Sequence, residues 1–227
     1  MREPESRNIC RSKKEVLVGY GEYDKPLLVT FMNSGTNWIR WNIEFFTGKK
    51  TPGCKRLEED GEYIIDRAHF PQERIHNYKK VILGIRDYKE IFPQRFIHNG
   101  GDINSVKSYN DLISYGIYNY IYNIIEYDKF IGEKRAYYYD DIFCPEEIRK
   151  ILEFLDIFDD KNFETYKKYF DAILKKSYES KSGESNGDLK YWSKKLPKEI
   201  LLELDDFMLE KCGEEIFNKY LKRYKIK

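Results

Sequence analysis

The stretch LLVTFMNSGTNWIRW, Leu27–Trp41, decides the fold. An apolar run, Pro26–Met32, reads as a strand buried on both faces. It breaks into a small polar loop, Asn33–Gly35, and restarts at once as a helix over Thr36–Gly48 that ends on glycine. The first amides of a helix have no intrahelical partner, so a strand–loop–helix junction of this kind presents N–H groups to whatever anion sits there. Gly35 allows close backbone approach, and Ser34 and Thr36 add hydroxyl donors. A plain helix cap by Ser or Thr is the alternative. The loop does not match G-x-x-x-x-G-K-[ST], because no Lys is present, which argues against the common ATP- or GTP-binding loop.

Outward from that junction, apolar and amphipathic segments alternate. Glu62–Phe70 can hold a short strand, and Lys79–Asp87 is an apolar strand with a polar end. Tyr88–Gly101 reads as a helix with Pro93 inside it, and Tyr109–Phe130 as one long amphipathic helix. A strand follows over Lys134–Ile142, then a helix over Pro145–Ile157 with Pro at its first turn. Ser177–Trp192 reads as a polar loop, and Pro197–Tyr224 as helical with a break at Gly213. Strands alternating with helices predict a three-layer α/β fold, a mostly parallel sheet with helices on both faces. Residues 1–22 are read as a polar segment and 23–227 as one domain. In such sheets ligands sit at the carboxyl ends of strands, where Asn33–Thr36, His69, Arg86 and Tyr139 all fall.

Composition narrows the function classes. The 227 residues are 41% hydrophobic and 35% charged with a formal net charge of +1, which offers no global attraction to nucleic acid. No run of 18 apolar residues exists, so no membrane span is expected, and the charged start is unlike a secretory signal. Cys10, Cys54, Cys144 and Cys212 are scattered without a C-x-x-C pair, which reads as reduced thiols in a cytoplasmic protein with no metal site. The 20 tyrosines read first as compositional bias.

Five segments, in order, resemble the PAPS-dependent sulfotransferases (PAPS is 3′-phosphoadenosine 5′-phosphosulfate, PAP its desulfated product). TFMNSGTNW, Thr30–Trp38, is similar to the 5′-phosphosulfate loop T-[YF]-P-K-S-G-T-T-W. RAHFP, Arg67–Pro71, resembles K-T-H-L-P. VILGIRDYKEIFPQRF, Val81–Phe96, resembles the strand and helix that hold the 3′-phosphate. YYYDDIFCPEEIRKILEFLDI, Tyr137–Ile157, resembles the Y-E-D-L segment and its helix. KSGESNGDLKYW, Lys181–Trp192, resembles R-K-G-x-x-G-D-W-K. The likeness runs over residues 25–220 and implies the P-loop-kinase-like sulfotransferase fold.

The resemblance also implies roles. His69 is the general base, a part for which an imidazole suits neutral pH; a core or surface His without chemistry is the alternative. Asn33, Ser34, Gly35, Thr36 and Asn37 hold the 5′-phosphate and stabilise the leaving oxygen. Trp38 stacks on adenine, or is a core aromatic. Tyr139 meets the base edge, or is an ordinary strand residue. Arg86 grips the 3′-phosphate through its forked donors, or pairs with Asp87. Gln94 stands where the family has Ser, and Lys181, Ser182 and Gly183 stand for R-K-G, with Lys190 a weaker phosphate ligand.

Three departures stand out. Asn33 replaces the loop Lys that meets the leaving oxygen, with Arg40, one helical turn on, a substitute cation. Gln94 replaces Ser, and the C-terminal loop is one residue longer between its glycines. The expected activity is transfer of a sulfuryl group from PAPS to a hydroxyl, or an amine, of a small molecule or glycan, with no metal, no nucleic acid and no membrane. Residues 48–68 and 97–112 are the expected acceptor walls, with Gly101–Asp111 a lid or a plain surface connection. Rival readings are an ATP-dependent kinase, a PAP- or PAPS-binding module without turnover, and a glycan-processing partner subunit docking through residues 115–127. Oligomeric state and acceptor identity stay open.

Overall fold

The computed structural model describes residues 23–52, 63–113, 116–179 and 191–226. Its sheet has four strands: β1 (Leu27–Thr30), β2 (Asp66–Ala68), β3 (Lys80–Ile85) and β4 (Glu133–Tyr138), in the order β2-β1-β3-β4. All three pairings are parallel, with Leu28 opposite both Arg67 and Ile82, and Leu83 opposite Ala136. Parallel neighbours bring every strand's carboxyl end to one edge, which is where the site lies.

The strands feed two cores. Because successive side chains alternate in direction, Leu27, Val29 and Phe31 point with Val81, Leu83 and Ile85 into one layer. There they meet α2 (Tyr88–His98), α4 (Ile117–Lys129), α7 (Lys198–Cys212) and α8 (Glu214–Tyr220). Leu28, Ile82 and Tyr137 point the other way, against α1 (Thr36–Thr47), α5 (Pro145–Phe154) and α6 (Asp160–Glu179). Each such aliphatic, taken wholly out of water, contributes about 1.5–3 kcal/mol. Leu28, Val29 and Ile82 are all fully enclosed, as the unbroken apolar run required.

Local chemistry sets the helix limits. Gly35 (φ 83) precedes α1, and Gly48 (φ 63) ends it with an amide bonded to the Glu44 carbonyl at 2.9 Å. Asp87 caps α2 by accepting from the Lys89 amide at 2.9 Å. Pro93 lies inside α2, buried on the core side, and the helix continues through it to His98.

Three expectations are corrected. The single helix over Tyr109–Phe130 is two: α3 (Tyr109–Leu112), closed by a Ser108–Asp111 capping box, and α4, with Ile113 extended at φ −82, ψ 94 between them. Both helices pack on α7, but α3 also meets α2 whereas α4 also meets β3 and α8. The helix α6 was not expected. The polar loop begins later than read, because Ser177–Glu179 still belong to α6, and Trp192 is buried. Gly213 does break the C-terminal helical segment, with φ 78.

A buried ionic cluster locks the far side of α2. Lys89 Nζ reaches Asp205 Oδ1 at 2.6 Å and donates to the Tyr224 carbonyl; Tyr88 also donates to Asp205, whose Oδ2 accepts from the Ile226 amide at 2.8 Å. Glu90, fully buried, accepts from the Trp192 and Ser193 amides at 3.0 Å each.

Candidate active site

Thr30, the last residue of β1, is the hub. Its hydroxyl shares a 2.6 Å hydrogen bond with the Thr36 hydroxyl at the start of α1. Its carbonyl accepts from His69 Nδ1 at 2.7 Å. One residue therefore ties the β1–α1 loop to the imidazole beyond β2. A carbonyl can only accept, so Nδ1 carries the proton and Nε2 is the basic nitrogen of the neutral ring. Burial holds the imidazole pKa below its ordinary 6.5, and the positive charges of Arg67 and Arg95 push the same way, against the Thr30 hydrogen bond. The neutral form of His69 is therefore favoured at neutral pH. The Asn123 side-chain amide donates to its backbone carbonyl at 2.8 Å and steadies it from α4.

The loop has the shape of an anion cradle. Asn33 sits at φ 66, a left-handed conformation that Asn tolerates better than most residues. The Ser34 hydroxyl is fully shielded from water and has no hydrogen-bond partner, an orphan donor beside the unpaired amides that open α1. Because Thr30 and Thr36 share one hydrogen bond, one of the two hydroxyl protons remains to donate elsewhere. Gly35 has no room for a side chain: a Cβ would lie 2.7 Å from Ile142 Cδ1 and 3.0 Å from Tyr139 Cδ2. Its φ of 83 and these two side chains both demand glycine here.

Arg86, at the end of β3, is 5% exposed. Its Nη1 donates to the Asn33 carbonyl at 2.6 Å and to Gln94 Oε1 at 3.2 Å. Its guanidinium lies 4.2 Å from the Tyr139 ring centroid, and its Nε is buried without a partner. The Tyr120 hydroxyl holds its backbone carbonyl at 2.7 Å. Asn33, Arg86, Gln94 and Tyr139, far apart in sequence, are thus one cluster. Asp87 serves as the α2 cap.

Two expected contributors lie elsewhere. Trp38 is 1% exposed; its indole N–H donates to the Ile142 carbonyl at 2.7 Å and its ring meets Phe170 edge-on. It is a core residue with no open face for adenine, which corrects the stacking role. Arg40 does not replace the loop cation. Its guanidinium is turned to Thr51, through Nε to the hydroxyl at 2.9 Å and Nη2 to the carbonyl at 3.1 Å, and to Asn37 Oδ1 at 3.1 Å. Asn37 is exposed on the first turn of α1. Lys181, Ser182, Gly183 and Lys190 fall outside the described residues.

Sequence reasoning missed Arg67 and Arg95, the charges that bear on His69. Arg67 lies in β2, two residues before His69, and that nearness in sequence was a usable signal. Arg95 follows Gln94 on α2 and gave no local sign. In residues 101–113, Ile103 and Leu112 are buried and the Tyr109 amide is bonded to Glu203 Oε2 at 3.3 Å. Among the described residues, no His, Cys, Asp and Glu side chains gather as a metal site, and no helix is long and apolar enough to cross a membrane.

No family model matches the chain, and no curated protein matches it. Among solved structures, it is similar to mouse sulfotransferase SULT7A1 complexed with PAP, with 16% sequence identity, a TM-score of 0.59 and 88% of each chain covered. At that identity the likeness is one of fold: this chain has the α/β sulfotransferase fold, P-loop-kinase-like, with a parallel sheet between two helical layers.

Proposed function

We propose that the chain is a PAPS-dependent sulfotransferase acting on a hydroxyl, or an amine, of a small molecule or glycan. The observation that carries this is the Thr30 hub, which sets a neutral imidazole and an anion cradle side by side. His69 Nε2 takes the acceptor's proton as its oxygen attacks sulfur in line. The bond from sulfur to the bridging oxygen breaks, and PAP leaves with the electron pair. As in phosphoryl transfer, positioning and electrostatics supply the rate. The Ser34 and Thr36 hydroxyls and the first α1 amides meet charge on the departing 5′-phosphate. Asn33 offers a neutral donor where the family has a cation. Arg86 and Gln94 receive the 3′-phosphate, and Tyr139 flanks the base. Unpaired Cys144 and Cys212 are consistent with a reducing, cytoplasmic setting.

Asn33 favours a second reading, a module that binds PAP without turnover. Thermal unfolding with PAP, ADP and ATP, with and without Mg²⁺, tests both. A ligand at 100 times its Kd stabilises by about 2.7 kcal/mol, which raises Tm by roughly 5–10 °C for a chain of this size. We expect that shift with PAP, less with ADP, and no Mg²⁺ requirement. An ATP shift that needs Mg²⁺, with none for PAP, would favour the kinase. PAP binding without transfer from PAPS across an acceptor panel would favour the module.

A further inference from the structure

Arg95 enters the reaction just described only through the effect of its charge on His69, and no carboxylate is seen to answer that charge among the described residues. Among the described residues, Arg135, Arg149 and Arg223 are each paired with a carboxylate, respectively Glu147, Glu153 and Asp141. Arg95 has no such partner there, and its Nε is shut off from water with no hydrogen bond. A half-buried guanidinium left this way is disfavoured unless something else supplies acceptor oxygens. Its direction separates it from the nucleotide. Gln94, the preceding residue on α2, turns to Arg86. The next residue on a helix is rotated by about 100°. Arg95 accordingly reaches toward the start of α4, where its Nε lies 4.0 Å from the position a Cβ on Gly116 would take. α4 is also the helix whose Asn123 holds the His69 carbonyl. Arg95 is close enough to the imidazole for its charge to oppose protonation there. Arg95 therefore lies toward α4, the helix that holds the His69 backbone, and away from the Arg86 cluster.

We propose, resting on the sulfotransferase reading, that the acceptor carries an anionic group, a carboxylate or a phosphate or sulfate ester, seated on Arg95 while its hydroxyl meets His69. The guanidinium forks onto two oxygens of that group and orients the nucleophile, with Arg67 adding positive potential.

The test measures binding to PAP-saturated protein by calorimetry, so no turnover is needed. The probes are matched acid–amide pairs: hydroxyphenylpropionate and its amide, glucuronate and glucuronamide, hydroxybutyrate and its amide. In wild type, at least one acid should bind about tenfold or more tighter than its amide, the size of one charge-assisted contact. Arg95→Met should bring that ratio close to one and leave PAP affinity unchanged. Arg95→Lys should keep part of the preference, and gives the comparison with Arg95→Gln if the Met variant does not fold. Acids and amides that bind wild type alike throughout would overturn the proposal. So would an acid preference that survives in Arg95→Met. A loss of PAP affinity matching the loss of acid affinity would place the anion on the donor, and also overturns it. If PAP fails to bind wild type, the functional reading falls first and takes this one with it; PAP binding with no acid preference refutes the acceptor assignment alone.

Discussion

Replacing Arg86 by Met keeps most of the side-chain volume and removes the forked charge. The structure separates two consequences. One is common to any ligand of the loop, because Nη1 holds the Asn33 carbonyl at 2.6 Å and Gln94 at 3.2 Å, and the variant loosens both. The other, under the proposed assignment of Arg86, belongs to the 3′-phosphate alone. A hydrogen bond to a charged group contributes about 1.5–3 kcal/mol, which is roughly ten- to 150-fold in Kd. Comparing PAP with adenosine 5′-monophosphate isolates the second part, since the two ligands differ only in that phosphate. Calorimetry at fixed ionic strength, on wild type and Arg86→Met, yields four dissociation constants and one coupling energy. The ratio of the two ligands' constants should fall by about ten- to 150-fold in the variant, by the arithmetic above. Arg86→Lys should fall in between, because a point charge replaces a fork. Equal weakening of both nucleotides would refute the assignment and leave Arg86 as a strut for the Asn33 loop.

His69→Ala should lower turnover by about two to four orders of magnitude while PAP affinity holds, which single-turnover kinetics would show. Burial depresses this imidazole's pKa, so kcat/KM should rise to its plateau through a pKa under 6.5; a midpoint above 6.5 would contradict the buried, carbonyl-held ring. The same shift means that the stability this His contributes is present above pH 6.5 and is lost as pH falls through the lowered value. Asn33→Lys restores a cation near the leaving oxygen and should raise kcat by about tenfold, the lower range of a charge-assisted contact. Because Asn33 sits at φ 66, a small drop in Tm should accompany the gain. Asp205→Ala strands Lys89, 4% exposed, without its partner 2.6 Å away, and urea unfolding should show a loss of about 3–5 kcal/mol.

The parallel sheet was legible because Leu27–Thr30 and Lys80–Ile85 are apolar without alternation, and only a strand covered on both faces needs that. The Arg86–Gln94 pair was legible through resemblance, eight residues apart across a strand end and two helical turns. Trp38 was ambiguous for a physical reason: an aromatic on the inner stripe of an amphipathic helix looks alike whether it meets adenine or Phe170. The two-helix break runs from Ile113 to Gly116, the residue that opens α4, and that one glycine inside an otherwise amphipathic pattern was read through. α6 went unread because its apolar positions, Phe163, Tyr166 and Phe170, are diluted by charge on every other face. Arg95 was invisible because unpairedness is a property of three-dimensional neighbours, and no spacing in sequence encodes a missing carboxylate.

The Lys89–Asp205–Tyr224 cluster also bears on when the fold can form. Two of the partners that enclose Lys89 lie 116 and 135 residues downstream. Contacts so distant in sequence are made late and slow the closing step of folding. A growing chain that has emerged only through β4 holds all four strands, yet Lys89 then has only Asp87, 3.9 Å away in the finished fold, to answer its charge. The half-finished sheet is thereby kept from settling prematurely into a dry core, and the exposed apolar layer is a stretch for chaperones to guard. Residues 205–226 act as the latch of the domain: a chain cut before Asp205 would carry every residue of the proposed nucleotide site and still lack the carboxylate and carbonyl that enclose Lys89.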